Sequence, residues 1–191
     1  VKSKLARSQT TSYVKIAAEA IKDLSGVAVN PDAGKISSAY DKDTEAPILS
    51  KYVVDLRATP TLILEFDEPV DGSTLDAGQI TIRTQNGLSS KLLSSGTASD
   101  QGLALTVTMP LAPADANVIK SLTSLAIDTG STWLEAKTGM VKDREGVLAA
   151  AVANNAPKNA AELKADATNP TLSSFVLDMN AGKIFLTFSE A

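Results

Sequence analysis

Apolar and polar residues alternate in several short stretches of this chain, with turn residues between them. Tyr52, Val54 and Leu56 fall on one face of an extended YVVDL segment, and Ile80 and Ile82 share a face in QITIRT. A period of two predicts antiparallel strands that bury one face. We therefore expect a mainly β chain folded as an antiparallel β-sandwich. Further strands are predicted at 61–66, 103–109 and 132–136, the apolar face of 103–109 being Leu103, Leu105, Val107 and Met109.

One segment has a helical period instead. In PADANVIKSLTSLA at 113–126, Val118, Leu122 and Leu125 recur at the i, i+4 and i+7 positions of a single helix face. Asp115 precedes them and is a candidate N-cap, because its carboxylate can accept the first free backbone N–H groups. The pattern predicts one short helix that crosses an end of the sandwich.

Asp67 and Glu68 close the second predicted strand, directly before Pro69. Adjacent strand residues point to opposite faces, so these carboxylates do not converge as a general acid–base pair must. Proline also restricts the residue before it, which suits a chain that leaves a sheet. We interpret the pair as a solvated strand exit without a catalytic role.

The chain contains a long internal repeat. Its clearest trace is IKDLSGV at 21–27, which returns as VKDREGV at 141–147. Three blocks match in order, at offsets of 120, 123 and 122 positions, which favours a tandem repeat of roughly 120 residues over chance similarity between two β-rich halves. The matched blocks are 12–27 with 132–147, 43–56 with 166–179, and 61–68 with 183–190.

The order of these blocks predicts the domain organisation. Residues 1–42 are expected to be the C-terminal part of a preceding repeat, and residues 43–165 one complete repeat. Residues 166–191 are expected to be the N-terminal strands of a following repeat. The chain would then be a segment of a longer polypeptide.

Composition narrows the chemistry. Hydrophobic residues make up 43% of the 191 residues, which is enough for packed cores. The net charge of −4, with no dense cluster of Lys and Arg, disfavours nucleic acid as a partner. No apolar run approaches the length of a membrane span. The absence of Cys and His removes disulfides, thiol catalysis and the commonest general base, so we expect no enzymatic activity and no cofactor.

Calcium is the one ligand that the sequence raises. Asp41, Asp43 and Glu45 alternate in the DKDTE run at a repeat junction, and calcium binds several such oxygens. The next junction keeps only Asp166 of the three. The alternative interpretation is a solvated acidic linker.

Tyr13 and Trp133 occupy the same position in the two copies. Aromatic side chains at such a position either stack on sugars or pack in a core. Because aromatic residues make up only 4% of the chain and this pair recurs, we expect core packing.

The ordered motifs resemble a known family. The motifs resemble those of bacterial-type Ig-like (Big) domains, which have an apolar strand ending in Phe-Ser-Glu-Pro-Val, then a Ser-Thr-Leu turn, then an Ile-Thr-Leu strand. In this chain the corresponding segments, in the same order within LILEFDEPVDGSTLDAGQITI, are Phe66–Val70, Ser73–Leu75 and Ile80–Ile82. Tyr13 and Trp133 each precede a Lys-Asp-x-x-Gly turn, as in the closing strand of those domains. In such a turn Gly takes a positive φ and Asp bonds the local backbone. The segment at 113–126 departs from the pattern.

The resemblance implies a function. Such domains form tandem repeats in surface-layer and adhesin proteins, and similar arrays occur in extracellular proteins of protists and algae, including flagellar hairs. It implies Ig-like β-sandwich repeats of an extracellular, cell-surface or filament protein. The implied partners are neighbouring repeats and other copies in an assembly, with cell-surface glycans as a further candidate. The alternative is a non-catalytic glycan-binding or spacer module of a secreted enzyme. Binding to a glycan array that is lost in Trp133→Ala would favour this alternative.

The domain organisation predicts a proteolysis pattern. Residues 1–42 and 166–191 each hold only part of a repeat, so neither closes a sandwich by itself. Limited proteolysis of the 191-residue chain, followed by mass spectrometry, should trim both ends to roughly 43–165. Survival of the full-length chain would contradict this organisation.

Overall fold

The contacts within the chain divide it between Glu45 and Ala46 into two units, and each is described by itself. The structure, a computed structural model, describes residues 8–190. The smaller unit contains an antiparallel pair, β1 (Tyr13–Ile16) and β2 (Asp32–Ile36). A 3-10 turn at Gln9–Thr11 precedes β1.

The first sheet of the larger unit is built from five strands: β3 (Leu49–Asp55), β4 (Thr61–Asp71), β7 (Leu103–Pro110), β9 (Lys142–Asp143) and β11 (Glu162–Lys164). Four of them follow the order β11–β3–β4–β7, and β9 pairs with the far end of β4. The pairing of β11 with β3 is parallel, whereas the other neighbours are antiparallel.

The strands of the second sheet are β5 (Ile80–Arg83), β6 (Ser90–Leu92), β8 (Trp133–Ala136) and β10 (Lys158–Asn159). They follow the order β10–β8–β5–β6, with every neighbouring pair antiparallel. The unit also contains a two-stranded hairpin of β12 (Leu172–Asp178) and β13 (Lys183–Phe188). Among residues 8–190, no helix has the length and apolar character needed to cross a bilayer.

The two larger sheets share one apolar core, which confirms the predicted β-sandwich. Tyr52, Val54 and Leu56 are 0–2% exposed, as their alternation predicts, and Ile80 and Ile82 are fully buried. Full burial of each large apolar side chain contributes about 1.5–3 kcal/mol. The other strand residues of this core are Leu49, Leu62, Leu64, Phe66, Val70, Val107, Met109, Leu134 and Ala136.

Tyr52 joins the two sheets with a polar contact as well. Its hydroxyl donates a 2.9 Å hydrogen bond to the carbonyl of Thr132, directly before β8. The side chain is fully buried, and desolvation raises the pKa of Tyr52 above its ordinary value. The phenol is therefore a neutral donor whose partner lies 80 positions away in sequence.

A single α-helix occurs in the described part of the chain, α1 (Pro113–Ser121). A helix was predicted here, but its N-cap was wrong, since Ala112 takes that position, and its predicted length was too great, since it ends at Ser121. Of the three predicted apolar positions, Leu125 is buried and Leu122 packs against the core, both beyond the helix, whereas Val118 is 40% exposed. Asp115 is fully buried because it accepts hydrogen bonds from Ser94 and pairs with Lys91, so a polar anchor sets the helix orientation.

Two further expectations are corrected. Glu68 does not mark a strand exit, since β4 continues through it to Asp71 and the residue is only 9% exposed. Leu105 is 51% exposed, although its neighbours Val107 and Met109 are buried. The register between β4 and β7 shifts beside Leu105, so its position on the alternating face does not place it over the core.

The Tyr52 hydroxyl can be tested by substitution. Tyr52→Phe should lower the free energy of unfolding by about 1 kcal/mol, because one buried hydrogen bond is lost. The loss stays small because the Thr132 carbonyl also accepts the Ala160 N–H at 2.9 Å. Urea unfolding followed by the fluorescence of Trp133, the only tryptophan, measures it.

The matched comparison is Leu64→Ala, which should cost about 2–5 kcal/mol because it opens a cavity in the core. A Tyr52→Phe loss as large as that of Leu64→Ala would contradict the role given to the hydroxyl.

Candidate functional site

The chain builds one hairpin twice. In β3–β4, Val54 lies opposite Leu62, and in β12–β13 Leu177 lies opposite Ile184, which are the matching positions of the two repeats. All six paired positions of the two hairpins correspond, and the register shifts after the first pair in both. The sequence repeat is therefore also a repeat of backbone pairing.

The ends of the two hairpins are closed in the same way. The Ile48 N–H donates to Asp67 Oδ1 at 2.8 Å, and the Thr171 N–H donates to Ser189 Oγ at 3.0 Å. The backbone N–H groups of Asp67 and Ser189 donate back to the carbonyls of Ile48 and Thr171. The Asp67 carboxylate and the Ser189 hydroxyl serve as equivalent acceptors, so the same pair of hydrogen bonds closes both hairpins although the residue differs.

The end of the repeat also recurs. Tyr13 lies opposite Ile36 in β1–β2, and Trp133, its match in the repeat, lies opposite Asn159 in β8–β10. The pairing supports the alignment of these blocks at the level of structure. The domain boundaries at 42/43 and 165/166 remain predictions.

The Lys-Asp-x-x-Gly turns adopt the conformation that the sequence predicts. Asp23 Oδ1 accepts the Val27 N–H at 2.9 Å, and Asp143 Oδ1 accepts the Val147 N–H at 2.7 Å. The glycines that follow, at 26 and 146, have φ values of 79° and 84°. Only glycine adopts this left-handed conformation readily, which explains why both copies retain it.

The two hairpins differ in what covers them. The core-facing side chains of β3–β4 are 0–3% exposed, whereas those at the matching positions of β12–β13 are 49–78% exposed. We call the second set the open hairpin face. Its members are Leu172, Phe175, Leu177, Ile184, Leu186 and Phe188, with Met179 directly after β12.

A contiguous apolar surface of this kind marks an interaction site more often than an accident of folding. The open hairpin face is therefore the candidate functional site of the chain. The sequence predicted that its strands begin the following repeat, and this assignment stays a prediction.

The base of the open hairpin is attached to the sandwich by charge. Lys120, in the last turn of α1, places its Nζ 3.0 Å from Asp166 Oδ2 and 2.6 Å from Glu190 Oε2. Their side chains are 8%, 25% and 10% exposed, so the contact is largely shielded from water. Burial would lower the pKa of Lys120, but hydrogen bonds to Glu190 and Asp166 outweigh it and the pKa is raised.

Sequence reasoning did not identify this contact. A signal was present, because Asp166 and Glu190 match Asp43 and Glu68 in the two aligned blocks. The recurrence of two carboxylates at the same repeat positions indicates a shared role. Their cationic partner lies in the segment that departs from the Ig-like pattern, so the family resemblance gave no expectation for it.

The predicted calcium residues Asp41, Asp43 and Glu45 lie in a segment without regular secondary structure. The Glu45 N–H donates to Asp43 Oδ1 at 3.3 Å. Within the described residues, the carboxylates of these three do not form a set with all ligand atoms inside 4.8 Å of one another. Calcium binding at the junction remains a prediction.

The core packing expected of Tyr13 and Trp133 was wrong. Tyr13 is 59% exposed, and Trp133 is half-buried with its indole N–H donating to the Gly130 carbonyl at 2.7 Å. Leu134, the next residue, is fully buried and faces the core instead. Strand alternation, rather than aromatic size, decides which residue packs inside.

Comparisons with known proteins give two structural likenesses. No protein-family model matches the chain, and no curated protein matches it. The S-layer protein rSbsC is similar at 17% identity, and domains 1–6 of surface layer protein SbsC at 18%, both with a TM-score of 0.39. Each likeness covers 74% of this chain and 19% of the solved chain. The chain thus spans about a fifth of the length of these proteins.

The exposure of the open hairpin face predicts binding of an apolar dye. The double variant Leu177→Lys with Leu186→Glu should reduce anilinonaphthalene sulfonate fluorescence, because it places charges on this face. The control, Ser174→Lys with Thr187→Glu, changes polar positions of the same strands. Equal fluorescence of the two variants would contradict the assigned exposure.

Proposed function

We propose that this chain is a structural segment of a large extracellular surface protein built from tandem Ig-like β-sandwich repeats. It has no catalytic role in this proposal. Its partners are the neighbouring repeats and other copies of the protein in an assembly at the cell surface. A surface layer, an adhesin and a flagellar hair are the forms of assembly that fit such an array.

The recurrence of one hairpin in two different environments carries this proposal. β3–β4 is covered by a second sheet, and β12–β13 repeats its pairing without such a cover from residues 8–190. A two-stranded hairpin is at best marginally stable alone and needs packing against another element. In tandem arrays each unit gains such packing from the next strands of the same repeat and from its neighbours.

The chemistry of the chain supports a structural role. It has no cysteine or histidine, so a thiol nucleophile and the commonest general base are missing. The single tryptophan already donates its indole N–H to a backbone carbonyl. These features favour a scaffold over both an enzyme and a sugar-stacking module.

Immunogold electron microscopy of intact cells that make the protein tests the proposal. Antibodies against the sandwich at 46–165 should label the outside of the cell along a regular array. An 11-residue strand such as β4 spans about 36 Å, so the array should repeat on that scale or a multiple of it.

Antibody absorbed with the purified chain provides the control and should give no label. Label confined to the cell interior, or to isolated particles without periodicity, would overturn the proposal.

A further inference from the structure

We propose that helix α1 is a brace which fixes the orientation of the open hairpin on the sandwich, with Lys120 as its positioning residue. This role rests on the proposed tandem array, in which β12–β13 begins the following repeat. The interaction surface is therefore the junction between successive repeats, and its partner is the first hairpin of the next unit.

The N-terminal half of the brace is fastened to the sandwich. Asp115 accepts hydrogen bonds from the Ser94 N–H at 2.7 Å and the Ser94 hydroxyl at 3.0 Å, and it pairs with Lys91 Nζ at 2.9 Å. Burial would raise the pKa of Asp115, but the contacts from Lys91 and Ser94 lower it, so the carboxylate stays charged. Ala116 and Ile119 of the same helix lie in the apolar core.

The C-terminal half reaches the hairpin. Lys120 follows Asp115 by five positions and contacts one carboxylate before β12 and one after β13. Asp166 precedes β12, and Glu190 follows β13. One ammonium thus holds the entry and the exit of the hairpin together, which constrains the whole element rather than one strand.

The energetics favour a role in orientation over one in overall stability. Removing charges from water is costly, and a largely buried ion pair recovers this cost only with good geometry, so its net contribution to stability is often near zero. Its geometry is nevertheless restrictive, because a wrong arrangement would leave a buried charge without its partner. The Lys120 contact should therefore select one orientation of the hairpin.

The repeat itself supports the inference. Asp43 and Glu68 occupy in one copy the positions that Asp166 and Glu190 occupy in the next. The acceptors thus belong to the repeating pattern, and helix α1 supplies the complementary cation. This gives the inserted segment at 113–126, which departs from the Ig-like pattern, a physical reason to be present.

Spin labels can measure the orientation directly, because the chain has no native cysteine. Labels at Thr59→Cys and Asn180→Cys mark the tips of the two equivalent hairpins, where both native residues are exposed. Pulsed electron–electron double resonance should give a narrow distance distribution for the otherwise unchanged chain. Lys120→Met should about double its width, and Lys120→Arg should restore most of the narrow component.

Hydrogen exchange separates positioning from general stability. In Lys120→Met, amides of β12–β13 should exchange about tenfold faster, while amides of β3–β4 keep their rates. The matched control is Lys51→Met, which removes an exposed ion pair with Glu65 from the covered hairpin. It should leave the label distances unchanged.

Three outcomes would overturn the brace. They are a broad distribution already in the chain with Lys120 intact, no broadening in Lys120→Met, or equal acceleration of exchange in both hairpins. None of them bears on whether the protein forms a surface array, which the immunogold experiment decides separately. A different result is immunogold label inside the cell together with a narrow distance distribution that broadens in Lys120→Met. It would support the positioning role of Lys120 and overturn the tandem array in which that role is placed.

Discussion

The apolar face of a β-hairpin must be covered, and this constraint organises the larger unit. β3–β4 meets it with a second sheet, whose buried Ile80, Ile82 and Leu134 share one core with the face of the hairpin. Tyr52 adds a hydrogen bond across the same interface. β12–β13 has the same pairing and the same kind of face, yet its side chains remain exposed. The proposed function follows from this difference.

Helix α1 connects the sandwich, which covers β3–β4, with the uncovered hairpin β12–β13. Its apolar residues and Asp115 attach it to the sandwich, and Lys120 attaches it to both ends of the open hairpin. Apolar packing has little directional preference, whereas an ammonium shared by two carboxylates restricts the geometry of the groups that hold it. A junction between proposed repeats that must keep a fixed angle therefore benefits from a charged contact such as that of Lys120.

Much of the fold could be predicted from the sequence, because strand alternation is a local property. Tyr52, Val54 and Ile80 face the core as their period of two requires, and the Asp-x-x-Gly turns follow from the conformational freedom of glycine. The internal repeat predicted that the two hairpins are equivalent. Their identical register agrees with that alignment.

The failures of prediction arise from tertiary context. Asp115 of helix α1 is buried because it pairs with Lys91 of β6 and accepts a hydrogen bond from Ser94 just beyond that strand. Helical periodicity within 113–126 does not record these long-range contacts. Leu105 loses its cover where the register of two strands shifts. Only part of the site could be predicted from the sequence. Its carboxylates recur in the repeat, but their partner Lys120 lies 70 positions from Glu190, and no local pattern links the two.

Cross-strand nuclear Overhauser effects within 172–188 test the central claim most directly. The account predicts contacts between Leu177 and Ile184 and between Phe175 and Leu186, in the register in which Val54 meets Leu62 and Tyr52 meets Leu64. These side chains should show no contacts to the core residues Ile80 or Leu134. A different register, or long-range contacts that place 172–188 inside the sandwich core, would contradict it.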